Sequence, residues 1–504
     1  MLKRLLNRDS KDLFKKLFIF SIFFHLIAVI FSEGFHRPDE HLGILRYVFV
    51  KLDVYPASDL SWEYPAKIRN WVQPAIYYFI AKSLYLIDVK SPFVITFFLR
   101  LFTSLFSLIV LFQFSKFSRV FLKKERSINI ANLCFFGLWF FPFIHARTTA
   151  ENFGMNVFAL GLMLLTKTLS KESLNQTKLN FDFNIFKNQV SIPYLSAIMG
   201  GALIGMAVNF RIPLAPMPLF LMLWLCLIAR VKFLNILQIT FGIGLSVAFT
   251  TAFDSWGYGE LTYSVWSYLY QEFTRNVSQG FGTSPWYYYI YKTLSKGVPP
   301  LSLFITFSTL YLWIKKPGHL LTWATLPVFA LHSAIGHKEL RYIFPMIIFI
   351  PITLALVYEY LEDKLKSRPV IIFAKISVFV NLLFLVVSSF KPAYTPIHIY
   401  KFIYKNGDEI SKLYTFNNLQ RDILRVYLKK ETPFIHITKT EEIDSAINLE
   451  KNSWFLVEKI SDFTHFESRN CENMYSTYPK WFTSKFSKWL KRSKAWSIYR
   501  CHSI

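Results

Sequence analysis

The sequence predicts an all-α polytopic membrane protein of about eleven spans, followed by a small soluble α/β domain. Three observations predict it. Of 504 residues, 53% are hydrophobic, and 53 of them are Phe; a soluble domain is about 45–50% apolar even with Gly counted. That excess lies in long uncharged runs of the length a bilayer core requires. The last stretch, from about Lys391, instead alternates short apolar runs with helix-periodic segments. The expected division is a transmembrane domain over residues 1–390 and an accessory domain over 391–504.

The first apolar run, 17–31, follows Lys3, Arg4, Arg8, Lys11, Lys15 and Lys16. Glu33-Gly34-Phe35-His36 is a poor signal-peptidase site, so the run is expected to stay as a first span with its N-terminus in the cytoplasm. The next run, 72–87, is short and interrupted by Gln73, Pro74 and Lys82, and reads as a helix lying at the interface. The remaining spans then fall at 92–115, 128–144, 153–169, 192–208, 214–228, 233–252, 300–314, 320–335, 343–361 and 370–390.

This assignment places the basic short loops on one side: Lys116 to Arg126, Lys171 to Lys187, Arg230 with Lys232, Lys315 with Lys316, and Lys364 to Arg368. That is the cytoplasmic side by the positive-inside rule. If 72–87 crossed the membrane, every one of these clusters would be inverted. The opposite, non-cytoplasmic side receives Asp39-Glu40, Trp62-Glu63, Arg147 to Asn152, Asn209-Phe210-Arg211, the loop 254–298 and His337 to Arg341. Chemistry is therefore expected outside.

The net charge of +25 fits cytoplasmic anchors facing anionic lipid headgroups, so membrane lipids and not nucleic acid are the expected partners. Cys134 and Cys226 lie in apolar runs and read as inert, whereas Cys471 and Cys501 lie in the tail, where an oxidising compartment would let them pair. The tail has strand-like runs at 413–416, 434–438, 454–457 and 496–500 and helix-like segments at 419–428 and 440–449. It carries neither a glycine-rich phosphate loop nor metal-ligand spacing, and no internal repeat is visible in the chain.

Four motifs carry chemistry. In His36-Arg37-Pro38-Asp39-Glu40-His41, Pro38 suits a first helical position, which puts Asp39 and Glu40 in the first turn, where the helix dipole favours ionised acids. Asp39 is the expected general base, accepting a proton from an incoming hydroxyl, with Glu40 orienting it or standing in. The plain alternative is a helix start with solvated acids. In His337-Lys338-Glu339-Leu340-Arg341, three cationic groups stand where basic residues are disfavoured, and His337, Lys338 and Arg341 are expected to bind a phosphate. Snorkelling anchors are the alternative. Arg211, in Asn209-Phe210-Arg211-Ile212-Pro213, is a weaker case of the same kind. Glu63, Arg69, Asp254 and Trp286 are expected to contact substrate, the last two from a loop whose aromatic and polar groups suit sugar faces or an interfacial belt. His36 and His41 are poorly spaced as helical metal ligands, and neither metal nor cofactor is expected.

These motifs, in this order, resemble glycosyltransferase family 22, the dolichyl-phosphate-mannose-dependent mannosyltransferases of the GPI-anchor and N-glycan pathways. The resemblance rests on 36–41 for the family's His-Pro-Asp-Glu, Trp62-Glu63 with Ile68-Arg69, Phe281-Gly282-Thr283-Ser284-Pro285-Trp286 for Tyr-Gly-x-x-Pro-Trp, and His337-Lys338-Glu339-Leu340-Arg341-Tyr342-Ile343-Phe344-Pro345. It covers roughly residues 14–390 and is nearest the GPI branch. Arg37 interrupts the first motif and Phe281 replaces a tyrosine, so a bacterial relative with another lipid-linked acceptor fits as well. The resemblance implies a GT-C fold and inverting, metal-free transfer of mannose from a polyprenyl phosphate to a hydroxyl of a lipid-linked glycan such as a GPI precursor. The host membrane would be the endoplasmic reticulum in a eukaryote or the plasma membrane in a bacterium. A polyprenyl-glycan flippase is the alternative class; it would place its ionisable groups near the bilayer midplane, within repeated halves.

Overall fold

The computed structural model describes residues 6, 8–179, 189–275, 280, 282–416, 422–429, 432–449, 452–469, 471–486 and 495–502. Lys187, Phe281 and positions 419–421 of the expected tail helix lie outside the described residues. The chain divides into two units. The first comprises Met1–Ser32, Gly43–Ser83 and Phe98–Lys391, and the second Glu33–Leu42, Leu84–Phe97 and Pro392–Ile504.

The apolar runs become helices. Among the described residues, five are long and apolar enough to cross a membrane: Ser10–Phe31, Pro92–Val120, Phe233–Tyr258, Leu340–Leu361 and Arg368–Phe390. Ala150–Thr166, Tyr194–Phe210, Ile212–Leu227, Leu301–Lys315 and Leu320–Ala334 are shorter apolar helices. The run 72–87 forms the 15-residue helix Val72–Leu86.

The expected span 128–144 is not one helix. It forms Glu125–Gly137 and Phe140–His145, with Leu138 extended between them. The break frees backbone groups in an apolar setting, where each unsatisfied group is costly. Asn381, on Arg368–Phe390, meets both: its Nδ2 donates to Gly137 O (2.7 Å) and its Oδ1 accepts from Trp139 N (3.0 Å). The sequence pattern hides the break because 128–144 reads as one uncharged run.

Three helices that position the site, Ala150–Thr166, Tyr194–Phe210 and Phe233–Tyr258, pack closely through small residues, as helices in lipid do, Gly161 of the first lying against Gly200 and Ile204 of the second. A Cβ at Gly201 would run into the backbone at Ile239, and one at Gly242 into that at Ile198, so Tyr194–Phe210 and Phe233–Tyr258 touch main chain to main chain. Phe233–Tyr258 also continues past the expected end at 252, which carries Asp254 into its last turns.

The second unit contains a five-stranded sheet in the order β2-β1-β3-β5-β4. β1 (Leu413–Phe416) pairs in parallel with β2 (Phe434–Ile437) and β3 (Asn452–Val457). β5 (Ser497–His502) runs antiparallel to both β3 and β4 (Glu472–Ser476). Thr440–Leu449 provides the β2-to-β3 crossover and buries Ile443, Ala446 and Ile447. Four strands follow the apolar runs; β4 was not anticipated, because Glu-Asn-Met-Tyr-Ser has too little apolar content to announce an edge strand. Cys471 and Cys501 are joined in a disulfide that ties the start of β4 to β5.

Candidate active site

The first unit contains a cleft of about 460 Å³, open space at its mouth included, with Arg69, Asn70, Asn209, Arg211, Ser264 and Tyr268 among its lining residues. Each of these side chains is brought there by the end of an element. Tyr194–Phe210 stops at Arg211, whose backbone is extended, and Pro213 lies just beyond it. The last carbonyls of that helix are met by Asn70, whose Nδ2 donates to Asn209 O (2.7 Å) and Phe210 O (3.1 Å). Arg69, the preceding residue, makes a two-pronged pair with Glu63, at 2.6 and 3.1 Å.

Arg211 and Arg341 converge on a third acid. Glu151 sits in the first turn of Ala150–Thr166, which Thr149 caps. Its Oε1 lies 3.1 Å from Arg211 Nε and 3.6 Å from Arg341 Nε. Arg341 also reaches Glu339 (2.8 Å), and both guanidiniums lie over the ring of Tyr342 (5.7 and 5.8 Å). Burial raises the pKa of the Tyr268 phenol, while the charges of Arg211, Arg69 and Arg341 act on it in the opposite sense.

Asp254 is fully buried. Its Oδ1 accepts from Trp71 N (2.7 Å) and its Oδ2 from Ser264 N (2.8 Å). These N–H groups belong to the starts of Val72–Leu86 and Ser264–Arg275, where unpaired donors and the helix dipole both favour a carboxylate. Asp254 therefore ties two helix starts together and sets Tyr268, one turn further along, into the cleft.

The 337–341 motif and the 282–286 motif, read separately in the sequence, are fastened to each other. Lys338 donates to Ser284 O (2.8 Å) and also to Ile335 O. Ser284 N donates to Gly336 O (2.9 Å), and His337 Nδ1 to Gly282 O (3.0 Å). A carbonyl only accepts, so His337 carries its proton on Nδ1. Burial lowers the Lys338 pKa from the ordinary lysine value. Trp286 is 68% exposed.

In the second unit the two adjacent acids of the 36–41 turn differ. Glu40 is buried and its Oε1 accepts from His36 N (2.7 Å) and Arg37 N (3.2 Å), so it closes its own loop. Asp39 is only half-buried. Pro38 O accepts from His41 N (2.9 Å) and Leu42 N (2.8 Å), which starts the helical turn, and His41 Nε2 meets Tyr427 OH at 2.9 Å. Among the described residues, no group of three or more His, Cys, Asp or Glu side chains is arranged to hold a metal ion.

Residues 16–432 match the profile of the Alg9-like mannosyltransferase family. The chain belongs to that family. Its relatives include Mannosyltransferase APTG1 of Arabidopsis thaliana, 24% identical over 66% of this chain and 56% of that protein. GPI alpha-1,2-mannosyltransferase 3 of Danio rerio is 25% identical over 66% of this chain and 57% of that protein. GPI mannosyltransferase 3 of Candida albicans is 24% identical over 88% and 79%. The chain thus spans little more than half the length of the first two. Among solved structures, ArnT from Cupriavidus metallidurans bound to undecaprenyl phosphate shares the fold, with a TM-score of 0.52 at 10% identity over 96% of this chain and 97% of that one. This Alg9-like chain therefore has the GT-C fold. Sequence reading of this family member missed Glu151 and Tyr268. An acid in the first turn of an apolar helix was the available signal for Glu151; Tyr268 had none beyond its place in an aromatic loop.

Proposed function

We propose that this chain transfers mannose from a polyprenyl-phosphate-mannose donor to a hydroxyl of a lipid-linked glycan, a GPI precursor being the acceptor class its relatives' names favour. The observation that carries this reading is the placing of Arg69 and Arg211 on the lining of the cleft, with Arg341 joined to Arg211 through Glu151. Guanidiniums offer forked donors that match phosphate oxygens, and a low-dielectric wall strengthens them. ArnT, of the same fold, has been solved with undecaprenyl phosphate, which supports a polyprenyl phosphate here.

In the proposed step the acceptor oxygen bonds to the mannose anomeric carbon as the bond from that carbon to the donor phosphate oxygen breaks, inverting the centre. The acceptor proton passes to Asp39, and polyprenyl phosphate leaves against Arg211 and Arg341, with Lys338 and His337 holding the loop beside them. Glu40 keeps the Asp39 turn in shape. Glu63 fixes Arg69, Asp254 fixes the helix bearing Tyr268, and exposed Trp286 offers a face to sugar or lipid.

The same reading assigns about eleven spans, residues 1–390 to the membrane domain and 391–504 to an accessory domain, with 72–86 at the interface and the chemistry on the non-cytoplasmic side. The Cys471–Cys501 disulfide supports an oxidising compartment for the accessory domain. The test supplies purified protein with labelled polyprenyl-phosphate-mannose and candidate lipid-linked acceptors. Wild type should transfer label and Asp39→Asn should do so far more slowly. Undiminished transfer by Asp39→Asn removes Asp39 as base, and no transfer by wild type to any mannose-accepting lipid overturns the activity.

A further inference from the structure

The two arginines assigned to the donor phosphate do not stand free: both face one oxygen of Glu151, a residue 3% exposed. The contact is an ion pair without hydrogen-bond geometry. Arg211 Nε and Glu151 Oε1 are buried, and neither makes a hydrogen bond among the described residues. Arg211 itself is 8% exposed, on the lining of the cleft. Two like charges held this close repel unless a counter-charge lies between them, and burial strengthens the repulsion.

From this we propose that Glu151 is a positioning residue that stands in for the donor phosphate before the donor binds. It keeps the Arg211 and Arg341 guanidiniums side by side while leaving Arg211 Nε without a hydrogen bond and so available to a phosphate oxygen. Because it remains beside the pair after the donor binds, it also weakens the hold on polyprenyl phosphate once that product has formed, which favours release. Glu151 touches neither sugar nor phosphate in this account, and it acts only through the two arginines. The inference rests on the reading of these arginines as the donor-phosphate site.

The consequence runs against ordinary expectation for a buried acid. Withdrawing the carboxylate should tighten binding of the anionic product, whereas a merely structural role would loosen it or leave it alone. The test measures binding of polyprenyl monophosphate to the full-length detergent-solubilised protein, together with KM and kcat for polyprenyl-phosphate-mannose. Affinity should rise from wild type to Glu151→Asp, whose carboxylate is drawn back by one methylene, and again to Glu151→Gln, by about three- to tenfold in all. KM should fall with it, kcat should fall as product release slows, and the affinity should become more sensitive to salt. Should Glu151→Gln not fold, the Asp variant, which keeps the charge, still has to bind more tightly than wild type. A flat or reversed order in folded variants overturns the proposal. Arg211→Gln, measured alongside, separates the two claims. If it leaves polyprenyl-phosphate binding unchanged, the phosphate-site reading itself fails. If it weakens binding while the Glu151 series stays flat, only the positioning role fails.

Discussion

The arginine–acid pairs about the cleft of the helical unit and the pairs of the sheet unit treat charge in opposite ways, although the helical unit also carries exposed pairs such as Lys16–Asp12 and Lys366–Asp363. In the helical unit the pairs Arg69–Glu63, Arg211–Glu151 and Arg341–Glu339 have side chains at most 20% exposed. In the sheet unit Lys429–Asp408, Arg469–Asp444 and Arg500–Glu472 each expose at least one partner by more than half. Exposed pairs are worth about 0–1 kcal/mol, whereas buried charges seldom recover their desolvation cost. A fold has little stability to gain from burying three arginines with three acids. It gains a rigid, poorly hydrated set of donors for an anion. The sheet unit takes its stability from a packed core and a disulfide.

Substitutions should reproduce that contrast. The largest effect is expected from Asp39→Asn, which should lower the transfer rate by about 10²–10⁴-fold, the usual range for a general base, at unchanged melting temperature. Arg211→Gln should cost about 10²–10³-fold in transfer, comparable to loss of one donor to a developing anion. Changing Glu63 to Gln leaves Arg69 without its charge partner in a poorly solvated place. It should destabilise the helical unit by about 3–5 kcal/mol, read as a fall in thermal midpoint. Replacing Cys501 by Ser should cost the sheet unit about 2–4 kcal/mol while polyprenyl-phosphate binding persists. Smallest of all, Arg500→Ala should change stability by less than about 1 kcal/mol and leave transfer alone.

Much of this was legible in the residues, for reasons that also explain what was not. Apolar runs such as 92–115 and 370–390 announce their helices because length and hydropathy are local properties. The break at Leu138 is not local; it depends on Asn381, far along the chain, offering both a donor and an acceptor. Arg211 and Arg341 were legible as cations on the disfavoured side, but their meeting at Glu151 depends on three helix ends brought together by close packing. Asp254 was read as part of a loop because its helix runs past the apolar stretch, held there by the two N–H groups its carboxylate accepts. Lys338 was legible as a charge, whereas the carbonyls it holds, three residues away and in the 282–286 motif, were not.

The contrast between buried and exposed arginines has one direct measurement. Transfer of labelled mannose from polyprenyl-phosphate-mannose is compared for wild type, Arg341→Gln and Arg469→Gln at equal folded concentration. Arg341→Gln should be slower by about 100-fold or more, with Arg469→Gln indistinguishable from wild type. Equal rates for all three would contradict the assignment of the buried arginines to the donor phosphate.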